Sequence, residues 1–221
     1  MARRSYDQYC AVARALDTVG DRWTLLVVRE LLAGPRRYTD LHADLPGVST
    51  DMLATRLRDL ERDGLLERRR LPAPASVQVY ELTARGRRLT PVLTALAAFG
   101  ADGLGEPRPT DAVRAHWFAV PLIGVLERLD GLPDGVLEVR VDESGFHLVR
   151  SGGEFSYADG PAPAADARLA LTADVCVELI QGRRPPAELL ADGAAVLAGD
   201  GALARALRAR PADRRPVPAG G

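Results

Sequence analysis

The side chains able to do chemistry in this chain are mostly guanidinium groups. All 29 basic residues are arginine, and neither lysine nor asparagine occurs among the 221 residues. An arginine fork pairs with guanine edges or phosphate oxygens, and short hydroxyls beside it contact bases or phosphates as well. That mixture recurs at Arg36 and Arg37, in a stretch holding Ser49, Thr50, Asp51, Thr55, Arg56 and Arg58, and in the triplet Arg68, Arg69, Arg70 followed by Ser76. The chemistry it suits is recognition of double-stranded DNA rather than bond making. Lacking lysine, the chain has no P-loop lysine, no Schiff-base former and no serine/lysine pair. Lacking asparagine, it has no N-glycosylation acceptor and no bidentate Asn reader of adenine, a task left to Gln78 or to indirect readout. His42, His116 and His147 stand in no metal-ligand or triad spacing, and Gly152-Gly153 lacks the glycine spacing of a nucleotide fingerprint. No catalytic residue, metal or cofactor is expected, and the chain reads as a non-enzyme.

Composition places these groups in a soluble protein with a real core: 47% of residues are apolar and 27% charged. Cys10 and Cys176 are too few for a disulfide framework or a four-cysteine zinc site, which fits a reducing cytoplasm. No apolar run approaches the length of a signal peptide or a membrane span. The net charge of −1 hides an asymmetry: residues 1–104 carry 16 arginines and 13 acids, residues 105–221 carry 13 arginines and 17 acids. A boundary falls at GLGEPRP, Gly103 to Pro109, giving domains at 1–104 and 110–210, and a Pro/Gly-rich tail at 211–221 is expected to be disordered.

Spacing of apolar residues predicts the elements that position the arginines. Two amphipathic helices run from Tyr9 to Val19 and from Trp23 to Leu32, and a short one from Asp40 to Leu45 is expected to be capped by Thr39. The next helix starts from Ser49 as N-cap and ends at Gly64, with Leu53, Leu57 and Leu60 inward and Thr50, Asp51, Ala54, Thr55, Arg56, Arg58 and Arg62 outward. Leu65 to Leu71 and Val77 to Leu82 form a hairpin, and Thr83 to about Asp102 a helix broken at Thr90-Pro91. Helices followed by a basic hairpin make a winged helix-turn-helix, whose capped helix enters the major groove while the wing lies on the backbone or minor groove. Weak net charge points to a sequence-selective dimer rather than a general DNA coater.

The second half is predicted to be α+β. A long helix runs from Thr110 to Leu129, kinked at Pro121; strands occupy Val136 to Val141, Phe146 to Arg150, Glu154 to Tyr157, Ala167 to Thr172 and Ala195 to Ala198; short helices occupy Ala173 to Gln181, Ala187 to Ala191 and Gly201 to Arg208. The fold class is therefore α+β throughout, with a two-stranded wing and a second sheet of roughly five strands. Trp117, Phe118, Phe146, Phe155 and Tyr157 are concentrated in this half and either line an apolar ligand pocket or fill the core.

The stretch YCAVARALDTVGDRWTLLVVRELLAGPRRYTDLHADLPGVSTDMLATRLRDLERDGLLERR, with VYELTARGRRLTPVLTALAAF after it, resembles the HxlR-type winged helix regulators, relatives of the MarR group. The resemblance implies a homodimer built by the first and last helices, a recognition helix from Ser49 to Asp63 and a wing tip from Leu71 to Ser76. It also places Cys10 on a cysteine that some members use as a redox or electrophile sensor, with Ala11 where the family has proline; the residue equally suits a small apolar contact of the dimer interface. Ala165 to Leu207 is similar to the end of the sterol carrier protein type-2 domain, which implies a five-stranded sheet and helices around an apolar cavity for a hydrophobic ligand.

Together these readings give a cytoplasmic, homodimeric transcriptional regulator, in the role of a repressor, that binds a DNA operator and a hydrophobic small-molecule effector and has no membrane partner. The competing readings are a ligand-sequestering protein that uses the winged helix for dimerisation, and a regulator whose second half is a docking module without ligand.

Overall fold

The computed structural model describes residues 5–209, so the tail expected to be disordered lies outside the described residues. The chain divides into two compact units, the first ending at Leu93 and the second beginning at Thr94. The division lies within a helix, ahead of the Gly103 to Pro109 segment expected to separate the domains.

The first unit runs α1 (Ala11–Val19), α2 (Thr24–Leu32), α3 (Tyr38–Ala43), α4 (Thr50–Arg62), β1 (Leu66–Arg70), β2 (Gln78–Leu82), α5 (Ala84–Arg87) and the start of α6 (Thr90–Ala101). Its core is the meeting of the apolar stripes of α2 and α4: Val27, Val28, Leu31, Leu53, Leu57 and Leu60 are buried, joined by Leu41, Val79 and Leu82. β1 and β2 pair antiparallel from Leu66↔Leu82 to Arg70↔Gln78, the hairpin that the sequence predicts. The α3 cap differs from expectation. The helix starts at Tyr38, not Asp40, and Asp40 reaches back to accept the Arg37 backbone N–H at 3.3 Å, so the acid at the third position does the work assigned to Thr39. The expected break near Thr90-Pro91 is present: α5 ends at Arg87 and α6 begins at Thr90.

The second unit contains a 3-10 turn (Ala115–Phe118), α7 (Ala119–Glu127), β3 (Gly135–Val141), β4 (Ser144–Ser151), β5 (Glu154–Asp159), β6 (Ala167–Leu171), α8 (Ala173–Ile180), α9 (Pro186–Ala191), β7 (Ala195–Ala198) and α10 (Ala202–Arg208). Its sheet has the order β5-β4-β3-β6-β7, with β3 and β6 parallel and the other neighbours antiparallel. The register Leu137↔Leu148, Leu148↔Tyr157, Val139↔Leu169 and Leu169↔Leu197 puts these side chains on one face, because strand residues alternate with period two. Glycines crowd Asp166. A Cβ on Gly199, whose φ is +104°, would sit 2.6 Å from the Asp166 carbonyl oxygen, and a Cβ on Gly135 or Gly201 would come within 2.9 Å of the same residue.

The long helix expected from Thr110 to Leu129 is shortened at both ends. Asp111 accepts the Arg108 backbone N–H at 2.9 Å and pairs with its guanidinium, which makes a turn where helix was expected. Pro121 falls in the first turn of α7, where a missing N–H has no intrahelical partner to lose, so it starts the helix instead of kinking it. Among the described residues no helix is long and apolar enough to cross a membrane.

Candidate functional site

α4 is fixed at its start by three features. The Ser49 hydroxyl accepts the Met52 backbone N–H at 3.3 Å, Asp51 lies in the first turn where the helix dipole favours an anion, and the Tyr38 hydroxyl donates to the Thr50 carbonyl at 2.8 Å, tying α3 to α4. Behind this end Leu53, Leu57 and Leu60 are buried; in front of it Thr50, Asp51, Met52 and Arg58 are exposed. Arg58 lies along its own helix, donating from Nε to the Ala54 carbonyl at 3.2 Å and from Nη2 to Thr55 Oγ1 at 3.1 Å. The result is an anchored helix end that offers hydroxyls, a carboxylate, a thioether and one guanidinium outward.

Arg56 departs from the outward set. It precedes Leu57 by one position and Leu60 by four, so it flanks the buried stripe; its side chain is 14% exposed and its guanidinium pairs with Asp21 and, at 3.2 Å, with Asp59. That arginine braces α4 against the segment before α2 and presents no free fork.

The arginines around the wing are also unequal. Arg36 bonds through its backbone to Tyr80 at 3.0 and 2.8 Å, adding a third rung beside β2, while Arg37 is exposed. Arg68 forms a bidentate pair with Glu61 at the end of α4, at 2.8 to 3.1 Å. The hydrogen bond from Arg68 holds the Glu61 carboxyl below its usual range, and the same bond raises the Arg68 guanidinium. Arg69, on the other face of β1, pairs with Glu81 at 2.8 Å. Arg70 is exposed opposite Gln78 and has no acidic partner among the described residues. Ser76, with φ of 42°, is exposed at the wing tip. Sequence reasoning misses Met52, and it misses Arg85 and Arg88 on and after α5, all exposed. Helical spacing is a sufficient signal for Met52, which sits on the outer side of the first turn of α4.

α1 and α6 each leave several apolar side chains in solvent. α1 exposes Val12 and Leu16, preceded by a wholly exposed Tyr9 and an exposed Cys10 at the N-cap position; α6 exposes Val92, Leu96 and Phe99.

In the second unit the helices and the sheet line an apolar cavity of about 50 Å³. Leu122, Val125 and Leu126 of α7, Leu179 of α8, Leu189 of α9 and Leu207 of α10 line it over Leu137, Val139, Leu148, Leu169 and Leu197 of the sheet. None of the five aromatic residues expected at a pocket is in this lining. Phe146 is fully buried, edge-on to Tyr157 at 6.5 Å; Phe155 lies under the Arg150 guanidinium at 5.7 Å; Trp117 stands edge-on to His116 at 6.1 Å, with Phe118 after it in the 3-10 turn. The register puts Phe146, Phe155 and Tyr157 on the β4–β5 side of the same sheet face, beside the cavity rather than around it. Cys176 is fully buried, and burial, with Asp142 adding to it, pushes its thiol up to about 12.

Residues 18–107 match the family model of the HxlR-like helix-turn-helix. The uncharacterized HTH-type transcriptional regulator sll1512 of Synechocystis sp. strain PCC 6803 is 42% identical over 97 residues, 44% of this chain and 72% of that protein. The HTH-type transcriptional regulator YodB of Bacillus subtilis strain 168 is 35% identical over 96 residues, 43% of this chain and 85% of YodB. Among solved structures, the reduced form of YodB aligns with a TM-score of 0.39 at 33% identity, covering 46% of this chain and 99% of YodB.

Proposed function

This chain belongs to the HxlR-like helix-turn-helix family of transcriptional regulators, and from that premise we propose that it is a sequence-specific, homodimeric repressor whose second unit binds a hydrophobic small molecule that modulates operator affinity. The observation that carries the reading is the N-terminal end of α4: a capped, braced helix start with Thr50, Asp51, Met52 and Arg58 outward and a leucine stripe behind it. Such an end fits the major groove, where Thr55 and Arg58 reach base edges and Ser49 and Thr50 reach phosphates. Arg37 and Arg70 supply backbone contacts. The exposed apolar residues of α1 and α6 support the homodimer, because apolar side chains recurring along a helix make a surface suited to burial against a second copy. Cys10, exposed at the head of α1, is where an oxidant or electrophile would reach that interface.

The effector half rests on the aliphatic cavity of the second unit. A ligand there alters DNA affinity only through unequal affinity for two states of the dimer, and a coupling of about 1–3 kcal/mol suffices for a switch. Capture of genomic fragments by the purified protein, with and without an organic extract of cells, tests both halves. Enrichment of a few near-palindromic sites that the extract alters is the expected result. No enriched site sinks the regulator; enrichment indifferent to an extract whose compounds do bind the second unit favours a sequestering protein.

A further inference from the structure

Gln181 stands at the C-terminal end of α8, two residues after the cavity-lining Leu179. Its side-chain amide crosses to α6 and donates two hydrogen bonds, both 2.8 Å, to the carbonyls of Ala101 and Leu104. These belong to the last residue of α6, whose carbonyl also accepts the Leu104 backbone N–H at 3.0 Å, and to the turn after it. One side chain therefore binds two carbonyls, 80 and 77 positions back in the chain, at the far end of a helix whose first turn, Thr90 to Leu93, belongs to the winged unit. Its own Oε1 is buried with no hydrogen-bond partner among the described residues, so the amide's hydrogen bonds are all donated ones. A second cavity wall also reaches α6: a Cβ on Gly124 of α7 would lie 3.7 Å from the Thr94 side chain. α7 and α8, which supply Leu122, Val125, Leu126 and Leu179 to the cavity lining, are thus helices that touch α6 within the second unit.

We propose that Gln181 is a positioning residue that latches the C-terminal end of α6 to the cavity wall and carries the state of the cavity to that helix. The coupling rests on the effector reading above; the latch does not. Occupation of the cavity displaces Leu179 and the end of α8, the amide leaves the Ala101 and Leu104 carbonyls, and the last turn of α6 loosens. Local opening of this kind is visible as faster amide exchange.

Three full-length proteins test it. Gln181→Met keeps the length and volume but cannot donate; Gln181→Lys regains donation to the same carbonyls, with a cation suited to a helix C-terminus; the third is the unsubstituted chain. Amide exchange over residues 98–105 is expected to rise about tenfold in Gln181→Met and to return toward the unsubstituted rate in Gln181→Lys, with β3 and β4 unchanged. Equal rates in all three, or no rescue by lysine, would overturn the latch. Dodecanoic acid is the probe for an aliphatic cavity: it is expected to bind the unsubstituted chain and Gln181→Met alike and to shift operator affinity only in the former. A shift that persists in Gln181→Met refutes the coupling. If dodecanoic acid fails to bind the unsubstituted chain, the effector reading and the coupling fall together, while the exchange rates still decide the latch.

Discussion

In the first unit the side chains of interest point out of the fold, and in the second they point into it. α4 hides its leucines completely and displays hydroxyls and guanidinium groups, while most arginines on α4 and the wing are answered by an acid: Arg56 by Asp21 and Asp59, Arg68 by Glu61, Arg69 by Glu81. The second unit shows ordinary mixed charge outside and keeps an aliphatic space inside. The contrast teaches that counting residues misjudges both units. The arginines of α4 and the wing outnumber those without an acidic partner among the described residues, and none of the five aromatic residues singled out in the second unit lines its cavity.

The two cysteines give the comparison its sharpest test. Alkylation at neutral pH is expected to modify Cys10 fully while Cys176 stays unmodified until the protein is denatured, since the thiolate is the reactive form and a thiol pushed to about 12 supplies almost none of it. Intact-mass measurement counts the adducts; a second adduct on the native protein would show that the interior of the second unit opens readily.

Phe146→Ala comes next. If Phe146 is packing and not pocket, the variant loses about 3–5 kcal/mol of stability, as large-to-small changes at fully buried aromatic positions do. Chemical denaturation measures it, following Trp117 fluorescence in a Trp23→Phe background. A variant that stays as stable but binds hydrophobic probes poorly would return Phe146 to the pocket.

Arg58→Ala probes the outward face of α4. Its guanidinium rests on Ala54 and Thr55 and has no acidic partner among the described residues, so its release toward a base edge costs little. Removing one bidentate pairing with a base is expected to weaken specific binding by about 1–3 kcal/mol with stability nearly unchanged. An operator-to-random affinity ratio that does not move removes Arg58 from base readout.

How far the sequence carries can be judged from these residues. Leu53, Leu57 and Leu60 announce α4 by periodicity, Ser49 and Gly64 announce its ends, and the strands of both sheets are legible from alternation and from turn residues. Arg56 escapes such reasoning because its partner Asp21 lies 35 positions away, and no local pattern records a tertiary ion pair. The five aromatics fall in two stretches of the sequence, 117–118 and 146–157, whereas the cavity gathers aliphatic residues from α7, α8, α9, α10 and four strands, a set that only the folded chain brings together. The Gln181 hydrogen bonds are equally non-local.

The smallest expected effect separates neighbours on one strand. Arg68 and Arg70 point to the same side of β1, yet Arg68 is held by Glu61 and Arg70 is not. Glu61 has a depressed folded-state pKa, so its pair is intact above the ordinary glutamate range and is released only as pH falls below it; at neutral pH Arg68 remains engaged. Removing one arginine–phosphate pair reduces the slope of log affinity against log salt by about 1. Arg70→Ala is therefore expected to flatten the salt dependence by about 1 and to weaken operator and random DNA equally, whereas Arg68→Ala leaves the slope unchanged. Fluorescence anisotropy across a salt series reads both. Equal flattening by the two variants would mean that DNA outcompetes Glu61 for Arg68, and that the acids of the winged unit do not limit which of its arginines meet the backbone.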